Sequence, residues 1–420
     1  MLRLPHILTM KFRPSALFLI RRESLVRVSF MTGLFVAYLS SLHPWFMWSL
    51  NNAYWLLFST SCMAFAYCLD YPHKALFSRT DIVVPAAVCF LLTAYMILTN
   101  ALNPMQAIIP VLRACVFLFL FMVRRESIFP IFTRICQIMA CLLLVSEIAF
   151  ALHVVGFTLP LPSWDCQYNE GQYSYTNYML FMIDDRSIWR IIPRFSSVFL
   201  EPGHIGTAAV LLLFTQIGYW RRWYNIVLAV AALISFSLQA YVIYLALLFL
   251  AQWIKGKHVV GKMMLALVLT AAVVTGSFFY RDGENMLNNL IVLRLEMNEE
   301  GDLEGDNRAQ DWFENEYESF LRSPDVWLGR NPKEGELYGN SGYRVFVYDN
   351  GIVGCVLIAA LYLFATAKAE SRRVWFSAML VAAACFYVRT HSLEPYVFFP
   401  IFAVANMPAG LFAGSGGKET

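Results

Sequence analysis

Apolar segments separated by short polar connections fill most of the chain, at roughly 26–43, 47–69, 81–100, 105–123, 130–157, 203–220, 224–237, 239–254, 262–280, 345–367, 373–389 and 395–412. Most approach the ~20 residues that cross a bilayer as an α-helix. The pattern therefore predicts an all-α, polytopic integral membrane protein of about twelve spans in one domain, residues 1–420. With the basic N-terminus inside, alternate connections carry Lys74 and Arg79, Arg124 and Arg125, Arg221 and Arg222, Lys255, Lys257 and Lys262, and Lys368, Arg372 and Arg373. That is the lysine and arginine bias that sets orientation, and it predicts that both termini are cytoplasmic. The same parity decides residues 224–254. A single crossing would put Arg221 on the opposite side from Lys255, so two short arms meeting near Ser235-Phe-Ser237-Leu-Gln239 are expected.

Two long connections interrupt this rhythm, at about 158–202 and 281–344, both on the outer side by the parity argument. Long loops between packed helices tend to carry function. The first holds Trp164, Tyr168, Tyr173, Tyr175, Tyr178 and Trp189, a composition suited to a headgroup interface or to stacking on sugar rings. The second contains an amphipathic pattern at about 308–322, with Trp312, Phe313, Tyr317, Phe320 and Leu321 on one side and Ser323-Pro324 as its stop.

Composition then excludes a soluble globule. A chain 59% hydrophobic and only 15% charged has too little polar surface to cover a core of its size. The net charge of +3 matters less than where the basic residues fall. Of nine cysteines only Cys166 lies in a long polar loop, so no structural disulfide is expected. No cleavage site follows the first apolar run, and residues 1–25 read as a retained cytoplasmic end. There is no phosphate-binding Gly-x-x-x-x-Gly-Lys loop, no His-Glu-x-x-His and no Cys-x-x-Cys. The acidic run from Glu299 to Asn307 lacks the glycine and the terminal carboxylate of a calcium loop, so neither a metal nor a cofactor is expected.

Chemistry concentrates where the first long loop re-enters apolar sequence, at Arg194-Phe-Ser-Ser-Val-Phe-Leu-Glu201-Pro202-Gly203-His204-Ile-Gly206. Glu201 reads as an N-cap and Pro202 as the first helical residue, so a helix N-terminus with free N–H groups faces the loop. With Arg194 upstream and His204 in the first turn, this end suits a phosphate-bearing ligand; a capped helix beside an interfacial arginine accounts for the same residues. Arg113 and Glu147 lie at similar depth within neighbouring spans and are expected to pair, either structurally or along a substrate path.

The chain resembles the bacterial polysaccharide polymerase and O-antigen ligase family, the Wzy-type membrane enzymes. The likeness rests on three places: Arg194 to Gly206; Arg308-Ala-Gln-Asp-Trp312 with Arg322-Ser-Pro324 to Gly329-Arg330-Asn331; and Asn340-Ser-Gly-Tyr343-Arg344 leading into Asp349-Asn350-Gly351-Ile-Val-Gly354. The resemblance implies a GT-C-like membrane glycosyltransferase that needs no metal. Such an enzyme moves a growing glycan from undecaprenyl diphosphate onto a lipid-linked repeat unit at the outer face of the inner membrane. Its substrates would be undecaprenyl-diphosphate-linked oligosaccharides, its partners a flippase and a chain-length regulator, and no nucleic acid is involved. Arg194, Arg308 and Arg344 are the expected diphosphate ligands, and Glu201 or His204 the proton acceptor. Ligase-type members place a histidine where this chain has Asn340, which cannot act as a base and favours a polymerase over a ligase. A transporter of lipid-linked oligosaccharide is the competing class.

Overall fold

The computed structural model describes residues 22–71, 75–78, 82–100, 104–157, 159–168, 173–185, 193–255, 311–330, 342–389 and 391–413, with scattered positions between 261 and 280. Arg308, Trp189, Asn340 and the acidic run 299–307 lie outside the described residues. The molecule is mainly helical. In chain order the helices are α1 Arg22–Ser40, α2 Asn52–Asp70, α3 Val83–Thr99, α4 Pro104–Phe121, α5 Arg125–Val154 and α6 Pro202–Thr215. They continue as α7 Trp223–Ile234, α8 Leu238–Lys255, α9 Asp311–Leu321, α10 Tyr343–Thr366, α11 Arg372–Val388 and α12 Pro395–Asn406. The all-α expectation has one exception. Within the first long loop, β1 Trp164–Tyr168, β2 Tyr173–Asn177 and β3 Met182–Asp184 form a small antiparallel sheet in the order β1-β2-β3, with Cys166 opposite Tyr175 and Tyr175 opposite Asp184. Aromatic residues at alternating positions, with Tyr175 buried and Trp164 exposed, suit a pleated surface.

The expectation of twelve spans is corrected. Among the described residues three helices are both long and apolar enough to cross a membrane: α5, α8 and α10, of 30, 18 and 24 residues. The apolar run predicted at 203–220 forms a helix of only 14 residues, and α7 and α12 have 12 each. At 1.5 Å per residue these reach about 18–21 Å, short of the ~30 Å hydrocarbon layer. Burial explains why short helices suffice. Every residue of α6 and of α12 is buried, so neither meets lipid along its length and neither is bound to match its thickness. A helix apolar on all sides is stable only where every side is covered.

The two buried helices pack against each other at the centre, with α1, α5, α7, α8, α10 and α11 around them. Rings interlock there: Phe117 of α4 stacks on Phe398 of α12 at 4.1 Å, and Phe398 also meets Tyr362 of α10 at 5.4 Å. The surrounding helices turn apolar side chains outward, including Leu98, Val145, Val242 and Val356, all at least half exposed. Such a continuous apolar exterior is what lipid contact requires. The two-armed reading of residues 224–254 holds: α7 and α8 meet at Ser235-Phe236-Ser237, with Phe236 at a positive φ of 46°. The amphipathic helix also forms, as α9, and buries Phe313, Tyr317 and Phe320 against Tyr348 of α10.

Connections gather at two opposite ends. At one, Arg125 of α5 pairs with Glu370 and donates to the Met407 carbonyl, Arg373 donates to the Trp253 carbonyl, and the Phe77 and Val123 segments form a bridge. At the other, Pro44 bridges to Phe199, Tyr396 N donates to Ser41 Oγ, and Phe195 N donates to the Ile234 carbonyl.

Candidate functional site

The second end collects the chain's polar chemistry at the N-termini of α6 and α12. Each helix begins in the same way, Leu200-Glu201-Pro202 and Leu393-Glu394-Pro395, with the glutamate as N-cap residue and the proline at the first helical position. Proline is suited there because its missing N–H has no partner in a first turn. Neither glutamate side chain caps its helix. Glu201 Oε2 instead accepts from Arg389 Nη1 at 2.6 Å, and Glu394 Oε1 lies 2.8 Å from Arg113 Nη2. Gly203 makes room for the first pair, since a Cβ there would stand 2.9 Å from Arg389 Nη2. Burial alone would raise the Glu201 carboxyl, but Arg389, His204 and His391 outweigh it and hold it well below the usual carboxylate range.

Between the two pairs lie two imidazoles. His204, in the first turn of α6, is 5% exposed, and among the described residues neither ring nitrogen has a hydrogen-bond partner. Its ring sits 5.0 Å from that of His391 and 5.8 Å from Tyr396. His391, in the short turn before α12, shares a 2.5 Å hydrogen bond between its Nδ1 and Tyr396 Oη. Burial, with His204 and Arg389 nearby, lowers the His391 imidazole from 6.5 to about 3. Burial likewise lowers the His204 imidazole and holds it neutral, so one ring nitrogen can accept a hydrogen bond and the other can donate one.

The structure sets Glu201 and His204 in the same turn and places Arg194 and Arg344 at the same end, while Arg308 lies outside the described residues. Arg194 Nε donates to the carbonyl of Ser235 at the α7–α8 tip, at 3.3 Å. The Ser235 side chain packs against Gly206, so the Arg194 anchor lies against the first turns of α6. Arg344, in the first turn of α10, pairs with Glu314 of α9 at 2.8 Å. Its neighbour Tyr343 stacks on Tyr387 at 5.1 Å and sets the start of α10 beside the segment that carries Arg389. The second and third motifs interlock: Gly329 (φ 90°) and Gly351 (φ 61°) let the Leu328–Gly329 turn and the Asp349–Gly351 kink approach so closely that a Cβ at either would strike the other's backbone. Tyr95 Oη ties the junction by donating to the carbonyls of Leu328 and Asn350 at 3.1 and 2.8 Å.

The expected Arg113–Glu147 pair is corrected. Arg113 takes Glu394, and Glu147 sits against Ala231 of α7 with its Oε1 unpartnered. Depth counted along each helix could not reveal which faces meet. The sequence reading also missed Arg389, His391, Glu394 and Tyr396. The signal for them was present, because Leu-Glu-Pro recurs where two apolar runs begin. Among the described residues no cluster of His, Cys, Asp and Glu has the arrangement to hold a metal ion. All nine cysteines are free thiols. Comparisons with protein-family models, with curated proteins and with solved structures find no match.

Proposed function

We propose that the chain is a multi-pass membrane glycosyltransferase, a polysaccharide polymerase that extends a glycan carried on undecaprenyl diphosphate at the outer face of the bacterial inner membrane. The observation that carries this reading is the meeting, at one end of the bundle, of two helix N-termini, two arginine–glutamate pairs and the unpartnered His204. A departing diphosphate accumulates negative charge, which guanidinium groups and helix N-termini stabilise. In this mechanism an acceptor hydroxyl oxygen forms a bond to the donor's anomeric carbon while the bond from that carbon to the phosphate oxygen breaks. The hydroxyl proton passes to His204 Nδ1 or Nε2, and undecaprenyl diphosphate leaves on Arg194, Arg344 and Arg308. Glu201, held ionised by Arg389, takes a positioning role: its carboxylate opposes the lowering of His204 by burial and would stabilise the imidazolium formed as the proton arrives.

One observation favours the second reading, a transporter of lipid-linked oligosaccharide. The paired Leu-Glu-Pro starts of α6 and α12 are a likeness between two parts of the chain, as transporters built from repeats display. The separating experiment gives the purified protein lipid-linked repeat units in detergent, with no membrane to cross. The polymerase reading expects longer glycans, abolished in Arg194→Ala and Arg308→Ala and poorly restored by lysine, which lacks the planar fork. His204→Ala should lower the rate by about 100-fold or more while the protein still inserts. Absence of longer glycan from the wild type, together with uptake by loaded vesicles, would make the transporter the better account.

A further inference from the structure

A cavity of about 300 Å³ opens where α5 ends, beside the β2–β3 turn. Its volume is at the lower end of the ~300–1,000 Å³ of small-molecule sites, room for a monosaccharide. The chain builds it from three pieces. Gly156, at φ 83°, turns the chain out of α5 just after His153, and Phe157 N closes the helix on the Leu152 carbonyl at 2.9 Å. The segment that follows supplies Leu161 and Ser163 to the wall. The β2–β3 turn, closed by Tyr178 N on the Phe181 carbonyl at 2.9 Å, supplies Tyr178. Phe181 is fully buried and backs Tyr178 with a stacked ring at 4.9 Å, and His153 leans on Tyr178 at 4.7 Å. Phe157, in contrast, is 58% exposed at the rim.

The wall is therefore rigid aromatic surface with polar edges. One ring is held by another behind it, one stands free at the rim, and His153 and Ser163 also line the wall. A purely lipidic occupant has no use for the imidazole and hydroxyl, and a charged headgroup finds no cation in this wall. A pyranose ring presents what the cavity matches: an apolar C–H face for an aromatic ring, and hydroxyls around its edge for His153 and Ser163. We propose that this cavity is a sugar-binding subsite, in which one pyranose ring of the glycan lies against Phe157 and Tyr178 with hydroxyls on His153 and Ser163. The choice of ligand class rests on the glycosyltransferase reading above, and the subsite extends that reading to the part of the chain that grips sugar away from the diphosphate.

The test is saturation-transfer NMR on the full-length protein in a detergent without a sugar headgroup, using free glucose, galactose, mannose, rhamnose and N-acetylglucosamine. At least one sugar should receive saturation, and Phe157→Ala and Tyr178→Ala should each weaken its binding by about tenfold or more. Val155→Ala, 77% exposed and outside the wall, should leave binding unchanged. Phe157→Ala keeps the outcome interpretable, because truncating an exposed ring leaves the fold intact. No saturation of any sugar, or saturation that survives both aromatic variants in correctly folded protein, would overturn the subsite. Sugar binding lost in these variants, in a protein that never lengthens a glycan, would sustain the subsite and count against the polymerase alone.

Discussion

At the scale of single residues, the most informative group is His391, because it is half-buried yet lies outside the long helices. With its imidazole lowered from 6.5 to about 3, the native protein holds it neutral over a range in which the unfolded chain binds a proton. A group with a depressed native pKa contributes fully above its unfolded value, so stability should be lost as pH falls from about 6.5 toward 3, by up to ~1.4 kcal/mol per pH unit. Glu201 acts in the same direction but lower, since its pair with Arg389 weakens only as pH drops below the ordinary carboxylate value of 4.5. Between pH 7 and 5 the Glu201 pair stays intact, and His391 contributes together with His43 and His204, which burial lowers in the same direction. Thermal unfolding in detergent should show a midpoint that falls over this interval in the wild type and falls less in His391→Gln. An unchanged slope in that variant would mean that the His391 imidazole is not among the groups responsible.

At the scale of elements, α6 and α12 are the same device used twice: a short, wholly buried helix that starts with Glu-Pro and hands its glutamate to an arginine from another helix or turn. Removing one member of such a pair strands a charge in a place only a fifth to a quarter exposed, at a cost of about 2–4 kcal/mol, less than for a fully enclosed pair because water still reaches it. Arg389→Leu and Glu201→Leu should each destabilise the protein more than the double variant does, and the same should hold for Arg113 with Glu394. Additive losses in the double variants, read by thermal unfolding, would argue that the pairs are incidental. These elements also show what was legible in the chain. The start of α6 at Pro202, the two arms meeting at Ser235 and the apolar face of α9 were all readable, because capping, parity and helical period act within a few residues of each other. Glu201 meeting Arg389, and Arg113 meeting Glu394 instead of Glu147, were not. Those partners are far apart in the chain, and period along a helix says nothing of which helix lies opposite.

At the scale of the whole molecule, the connections sort by end, and the basic residues within the short ones gather at one of them. Arg124, Arg125, Lys255, Lys368, Arg372 and Arg373 fall at the end tied together by the Arg125–Glu370 pair and the Arg373–Trp253 contact, while the sheet, the two Leu-Glu-Pro turns and α9 occupy the other. Tryptophans flank both: Trp45, Trp48 and Trp164 at the site end, and Trp220, Trp223 and Trp253 at the basic end. Arg194, Arg344 and Arg389 at the site end are held by protein groups, while the basic connections of the other end and the aromatic rings at both fit the proposed orientation across a bilayer. Only the outer helices need its full thickness, which is why three long apolar helices coexist with shorter ones enclosed among them. The arrangement makes a definite prediction for cysteines introduced singly at Asn51, Ser163 and Glu318 on the site end, and at Arg124, Lys368 and Arg372 on the basic end, after the exposed Cys68 and Cys141 and the half-buried Cys166 are replaced by serine. A membrane-impermeant maleimide added to intact cells should react with the first three positions and with none of the second three until the membrane is opened. Asn51 is the most telling of these, because it sits in a short connection between α1 and α2, far from either long loop in the chain, and reaches the site end only if the helices alternate as packed. Labelling of Asn51 together with Lys368 from outside would break that alternation, and with it the placement of Glu201, His204 and Arg389 at an outer surface.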